Sequence, residues 1–332
     1  MKKLFVTLLT PMTVLLLMTG CGVSNETADT SEEKDTAVEV EAEEAKDEQV
    51  NVHILMNDTK DYQASIKSYY EKWAEDNADA VEMVMYDAED DMNTQVSQCD
   101  MALTKGADAI IIVPVDSTTC DSITEMCEDA EVPLVCGQNP ADSGYDVWVG
   151  SDHTLAGKLE GEYIAEKLGG KGNVAIIYGG LGNDATNKRW EGAKEVLEEY
   201  EDINIVAEST GNWLRDEGMS LMENWLQSDN GADLSAVIGG NDEMTIGAVL
   251  AAVDAERTDI VFAGVDASQE ALEYVAGDTV DYCTILQDGE NICKAAGDWA
   301  LKLARGEKVE KETYVEIPYV KITKDNVDEY LK

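Results

Sequence analysis

Nine short apolar runs rich in Val and Ile recur along residues 51–332, and each leads into a longer amphipathic stretch. A strand buried on both faces reads as a continuous apolar run, whereas a surface helix repeats its apolar residues every three to four positions. The alternation of the two is the rhythm of βαβ units in a parallel sheet covered by helices. The first four runs cover 52–56, 81–86, 109–115 and 133–136. The next five cover 173–178, 203–207, 236–239, 260–265 and 282–286, with 147–152 standing between the two sets. This pattern predicts an α/β fold of two doubly wound parallel-sheet lobes rather than one large sheet, and residues 51–332 are long enough for two lobes of ordinary domain size.

Ahead of that unit, Lys2 and Lys3 precede an apolar run broken only by Thr7, Thr10, Pro11 and Thr13, which ends in Met18-Thr19-Gly20-Cys21. The run is shorter than the ~20 apolar residues a spanning helix needs, so 1–20 reads as a secretory signal cleaved before Cys21. Thr19-Gly20-Cys21 resembles a bacterial lipobox. That resemblance implies a diacylglycerol on the Cys21 thiol, anchoring the chain to the outer face of the cell membrane, or the periplasmic face of it where an outer membrane exists. Residues 22–50 carry eleven acidic and two basic residues and no aromatic. Such a segment buries too little apolar surface to fold and extends by self-repulsion, so 21–50 is expected to be a solvated acidic tether.

The formal net charge of −45 argues against nucleic acid as a partner, because phosphate recognition runs on Lys and Arg. It favours a soluble monomer and a neutral or cationic ligand. Cys99, Cys120, Cys127, Cys136, Cys283 and Cys293 form no CxxC pair and have no neighbouring His, so they read as buried small hydrophobes and not as metal ligands. No metal or cofactor is expected.

In open parallel sheets a ligand binds beyond the carboxyl ends of the strands. There the chain places Asn57-Asp58, Gln138-Asn139, Asn183-Asp184, Asn241-Asp242, Asp266 and Gln287-Asp288. Amides and carboxylates converging from two lobes suit a ligand covered in hydroxyls, although each Asn or Asp also has the chemistry to cap the helix that follows.

With these features in view, the chain resembles the ribose and galactose/glucose receptors of the periplasmic sugar-binding family, type I. The resemblance is carried by the stretch from Asp108 to Asp116 (DAIIIVPVD), Val149-Gly150-Ser151-Asp152, Gly240 to Met244 (GNDEM), Gly264-Val265-Asp266, and Ile317-Pro318-Tyr319-Val320 followed by Lys324-Asp325-Asn326. It implies the substrate-binding lipoprotein of a bacterial ABC importer, which closes on a neutral monosaccharide, a galactose- or glucose-like hexose being favoured, and hands it to membrane permease subunits. It implies a first lobe of 51–150 plus 288–316, a second of 151–287 plus 317–332, and three crossings near 150–152, 287–288 and 317–319. It assigns Asn241 and Asp266 to sugar hydroxyls, Gln287 to an amide contact at the hinge, Arg189 to the sugar with Asp266 as its charge partner, and Tyr62 and Trp213 to the two faces of the sugar ring.

The chain departs from the family at several of these positions. Gln138 and Asn139 stand where a carboxylate or amide is followed by a basic residue, Asn183 where the galactose branch has His, and Ala185 where it has Asp. Lys60, flanked by Asp58 and Asp61, holds the slot of a carboxylate. Gly169-Gly170-Lys171-Gly172 occupies the segment that forms a calcium loop in some galactose receptors and offers no carboxylate, so no calcium is expected. These departures leave open a receptor of the same class for a pentose, an inositol, a nucleoside or a furanose signal.

Two other classes are disfavoured. An enzyme has little to work with, since His53 and His153 are the only histidines and Gly179-Gly180-Leu181-Gly182 matches neither a P-loop nor a dinucleotide fingerprint. A transcription regulator of this fold would need a helix-turn-helix where the signal and tether stand.

Overall fold

The computed structural model describes residues 49–228 and 231–331. Cys21, the signal and nearly all of the tether lie outside the described residues. Two six-stranded sheets organise the chain. The first contains β1 (Val50–Met56), β2 (Val81–Asp87), β3 (Ala109–Ile112), β4 (Leu134–Gln138), β5 (Val147–Gly150) and β11 (Thr313–Glu316) in the order β11-β5-β4-β3-β1-β2, with every pairing parallel. The second contains β6 (Lys171–Tyr178), β7 (Asp202–Thr210), β8 (Leu234–Gly239), β9 (Val261–Val265), β10 (Asp281–Leu286) and β12 (Val320–Ile322) in the order β12-β10-β9-β8-β6-β7. Only β12 runs antiparallel to its neighbour, β10.

The helices α1 (Asp61–Asp76), α2 (Met92–Thr104), α3 (Asp121–Asp129) and α9 (Gly289–Ala304) cover the first sheet. The second is covered by α4 (His153–Leu168), α5 (Asp184–Leu197), α6 (Arg215–Leu226), α7 (Asp242–Asp254) and α8 (Gln269–Ala276). Each sheet with its helices is a lobe, and apolar clusters fill both faces of each sheet. Burial explains the continuous apolar strands: all four residues of β3 and all five of β9 are buried. The six cysteines among the described residues are free and buried. Cys120 precedes α3, so it does not share a helix face with Cys127.

Several strand bounds differ from the sequence expectation for identifiable reasons. β3 stops at Ile112 because Pro114 has no N–H to extend the ladder, and Val115 donates instead to Gln95 Oε1 at 3.1 Å. β4 begins after Pro133 for the same lack of a donor, and it runs on through Gln138. β5, β11 and β12 were not among the nine apolar runs. The segment that separates the two sets in sequence is itself an inner strand of the first sheet, paired with β4 on one side and β11 on the other.

The chain passes between lobes three times, from β5 to α4, from β10 to α9 and from β11 to β12. Six helices open on a side-chain cap: Asp91, Asp152, Asn183, Asn241, Ser268 and Asp288 each accept a hydrogen bond from a first-turn N–H.

Candidate functional site

The carboxyl ends of the strands of both sheets face one cavity of about 350 Å³. Asp58, Lys60, Tyr62, Gln138 and Asn139 line it from the first lobe, and Asn183, Arg189, Trp213, Asn241 and Asp266 from the second, with Gln287 at a crossing. Asp61 takes the first position of α1, and its side chain is outside the described set.

Lining the cavity is not the same as being free to bind. Gln138 trades both halves of its amide with Gln63, at 3.3 and 3.0 Å. Asn183 uses its Oδ1 to cap α5 on Ala185 N–H. Asn241 caps α7 through Oδ1 on Met244 N–H at 3.0 Å and donates from Nδ2 to the Trp213 carbonyl at 3.3 Å, so both ends of this amide are committed within the protein. Lys60 is exposed at the rim and precedes α1, with its N–H held by Asp58 Oδ1 at 2.7 Å.

Arg189, expected to pair with Asp266, forms no ion pair with it. Its guanidinium is held instead by the Gly240 carbonyl at 2.6 Å, Gln287 Oε1 at 2.9 Å and the Tyr319 hydroxyl at 2.8 Å. It also lies between two rings, 5.9 Å from the Trp213 centroid and 5.8 Å from that of Tyr319. Asp266, at φ 120°, lines the cavity, and its carboxyl has no hydrogen-bond donor on it among the described residues. Burial drives the Asp266 carboxyl well above the usual range, and the Arg189 charge opposes that rise.

Trp213 sits in the turn before α6 with φ 69°, after Asn212 at φ 49°. Its indole lies flat on Gly179, where a Cβ would collide with the ring. Tyr62 enters from α1, donating its hydroxyl to the Gln287 carbonyl at 3.3 Å. Left-handed backbone at Gln138, Trp213 and Asp266 is costly for residues with a Cβ and is held here by the surrounding contacts.

Asn57, already placed at a strand end with Asp58, lines the cavity, whereas sequence reasoning missed Gln63, Asp90, His153, Asn212 and Leu214 as lining residues. Asn57 stood in plain view beside Asp58. Asp90 was legible only as a polar residue beyond the second strand. Together they form an acceptor-rich corner: Asn57 Nδ2 donates to Asp58 Oδ2 at 2.9 Å and to Asp90 Oδ1 at 3.4 Å. Burial, with Asp90 and Asp87 nearby, pushes the Asp58 carboxyl up to about 6, and burial also raises Asp90. His153, set aside as a hinge residue with no catalytic partner, is buried in the cavity wall between Tyr319 and Asn139. No group of three His, Cys, Asp or Glu side chains among the described residues is arranged to hold a metal ion. The arrangement supplies two aromatic faces, amide donors and carboxylate acceptors, which is equipment for holding a polar molecule and not for breaking bonds in it.

Comparison with known proteins identifies the family. Residues 52–308 match the family described as periplasmic binding protein domain. A putative rhizopine-binding protein of Rhizobium meliloti is 34% identical over 261 residues, covering 76% of this chain and 83% of its own length. A xylitol-binding protein of Mycolicibacterium smegmatis is 32% identical over 254 residues, covering 76% and 71%. The crystal structure of an ABC transporter solute-binding protein from Bacillus halodurans C-125 with bound myo-inositol superposes with a TM-score of 0.80 at 32% identity, covering 85% of this chain and 97% of that one. The two doubly wound lobes are shared with solute-binding proteins, and the chain belongs to the periplasmic binding protein family.

Proposed function

We propose that the protein is the extracytoplasmic solute-binding component of a bacterial ABC importer, and that it binds a neutral monosaccharide or cyclic polyol of hexose size. One observation carries the reading. The cavity sets Tyr62 and Trp213 among unpaired amide N–H and carboxylate groups, which matches a ring with apolar faces and a hydroxyl rim. Of the ligands named for the relatives, myo-inositol is such a ring, and xylitol is an open-chain polyol with the same hydroxyl chemistry but no ring face.

The two lobes, 51–150 plus 288–316 and 151–287 plus 317–332, close over the ligand by movement at the three crossings. Closure presents a changed surface to the permease. Signal cleavage and lipidation at Cys21 hold the receptor at the membrane through the acidic tether, a reading supported by the Lys2 to Cys21 sequence. No helix among the described residues is long and apolar enough to cross a membrane.

A thermal-shift screen of the protein against myo-inositol, xylitol, D-glucose, D-galactose, D-ribose and nucleosides tests the assignment. A ligand that binds only the folded state at a hundredfold excess over its Kd adds about 2.7 kcal/mol of stability. A shift with a hexose or cyclic polyol is expected. A shift with nucleosides alone sinks the assignment.

A further inference from the structure

The cavity holds a chain of buried hydrogen bonds whose direction is dictated from one end. Arg189 is only 5% exposed, and a guanidinium can only donate. Its Nη2 sends one hydrogen to Gln287 Oε1 at 2.9 Å and the other to the Tyr319 hydroxyl oxygen at 2.8 Å. The Tyr319 O–H then finds one acceptor among the described residues, His153 Nδ1 at 2.7 Å. An imidazole that accepts at Nδ1 carries its proton on Nε2, and Nε2 stands 2.9 Å from Asn139 Oδ1. Tyr319, His153, Asn139 and Gln287 are each no more than 7% exposed.

The direction has a consequence for the ligand. Gln287 and Asn139 both turn their carbonyl oxygens into the chain, which leaves the NH₂ of each amide over. Neither nitrogen has a partner among the described residues, and both residues line the cavity. We infer that Arg189, Tyr319 and His153 form a proton-ordered relay that turns the amides of Asn139 and Gln287 donor-first into the cavity, making Tyr319 and His153 positioning residues for ligand recognition. The ligand accepts from these two amides and meets the Asp266 carboxyl, which has an acceptor oxygen in either protonation state, a pattern that hydroxyls, with both lone pairs and a proton, satisfy throughout. The relay also spans the lobes, since Arg189 and His153 lie on α5 and α4 of the second and Asn139 follows β4 of the first. Burial, with the Arg189 and Lys188 charges, keeps His153 neutral, as the relay requires.

The role in recognition rests on the polyol reading above, whereas the proton order does not, and the two are tested apart. The chain has two histidines, and a His53→Gln variant assigns their signals. Nitrogen-15 NMR of the imidazoles in the ligand-free protein is expected to show His153 as the Nε2–H tautomer. An Nδ1–H or doubly protonated His153 at neutral pH overturns the relay. Tyr319→Phe removes the hydroxyl and keeps the ring. It is expected to shift His153 away from the single tautomer and to weaken myo-inositol binding in calorimetry by about tenfold or more, the loss of one buried hydrogen-bonded contact. Wild-type affinity in that variant overturns the positioning role. Should Tyr319→Phe fail to fold, Asn139→Asp replaces the outward donor with an acceptor and is expected to weaken the same binding by about tenfold or more, with unchanged affinity overturning the role. If the wild-type protein binds no sugar or polyol, the functional assignment falls, and the tautomer alone judges the relay.

Discussion

Asp266 and Trp213 are the residues on which binding most depends, because the first presents an unpartnered carboxyl to the cavity and the second a flat ring. The Asp266 carboxylate has no donor among the described residues, and the Trp213 indole covers Gly179 and faces Arg189. Replacing Asp266 by Ala removes a buried carboxyl and leaves the ligand hydroxyl facing it unpartnered, at a cost of about 1 to 3 kcal/mol, a loss of roughly 5- to 150-fold in affinity. Replacing Trp213 by Ala removes one face of the ring slot. Both variants are expected to lose the ligand-induced thermal shift while melting cooperatively without ligand, and calorimetric titration with the polyol found in the screen checks this. Asn241 is a contrasting case. It has the same residue type and strand-end position as a ligand contact, yet its amide is spent on capping α7 and holding the Trp213 carbonyl. Residue type and spacing place a side chain at the cavity but do not say whether its hydrogen-bonding groups are free, which depends on partners far along the chain, 130 positions apart for Arg189 and Tyr319 and 225 for Tyr62 and Gln287.

Among the elements, the longer apolar strands were legible, the edge strands β2 and β7 included, whereas β5, β11 and β12 were not. β3 and β9 are apolar throughout because helices cover them on both sides. β11 alternates half-buried with exposed residues over four positions, and β12 has only three residues. Neither has a pattern that separates it from loop, and each is a strand because a neighbouring edge, β5 or β10, offers it hydrogen bonds. Helix starts are better encoded locally. Asp152 caps α4 by accepting from the N–H groups of Thr154 and Leu155 at 2.9 and 3.3 Å, at the first crossing between the lobes. Asp152→Ala is expected to cost about 1 kcal/mol by denaturant melting, the usual value of a lost N-cap. A change within a few tenths of a kcal/mol would mean that packing of α4 against α5 holds the helix start without the cap.

For the whole molecule, several buried carboxyls set a pH dependence of stability. Burial outweighs the hydrogen bonds from Ser268, Thr284 and Tyr282 and pushes Asp242 up to about 7, and burial likewise drives Glu160 and Asp266 well above the carboxylate range. A carboxyl with a raised folded pKa binds more protons folded than unfolded, so stability is full below the unfolded pKa and is lost as pH rises through the folded value. For Asp242 that window runs from 3.8 to about 7. The two histidines are lowered by burial and act with the opposite sign, but only below their ordinary value of 6.5. Between pH 6.5 and 8 the carboxyls therefore act alone, and the melting temperature is expected to fall across that interval. Asp242→Asn should flatten the slope, and a melting temperature that rises with pH there would contradict the assignment.

The sequence by itself determined the alternation of strand and helix, the two-lobed α/β class and the positions from which polar and aromatic residues reach the cavity. The alternation and the class follow from periodicity and the strand-end amides and carboxylates from the rule that parallel strands end at the ligand, both local properties of the chain, whereas Arg189, Tyr62 and Trp213 were implied by the family resemblance. Tertiary structure alone decided that Arg189 turns from Asp266 to Tyr319, Gln287 and Gly240, that Gln138 and Asn241 are already occupied, and that His153 belongs to the cavity wall. Each hydrogen-bonding group has a small, fixed capacity, and which partner fills it is a matter of three-dimensional proximity that no spacing along the chain records.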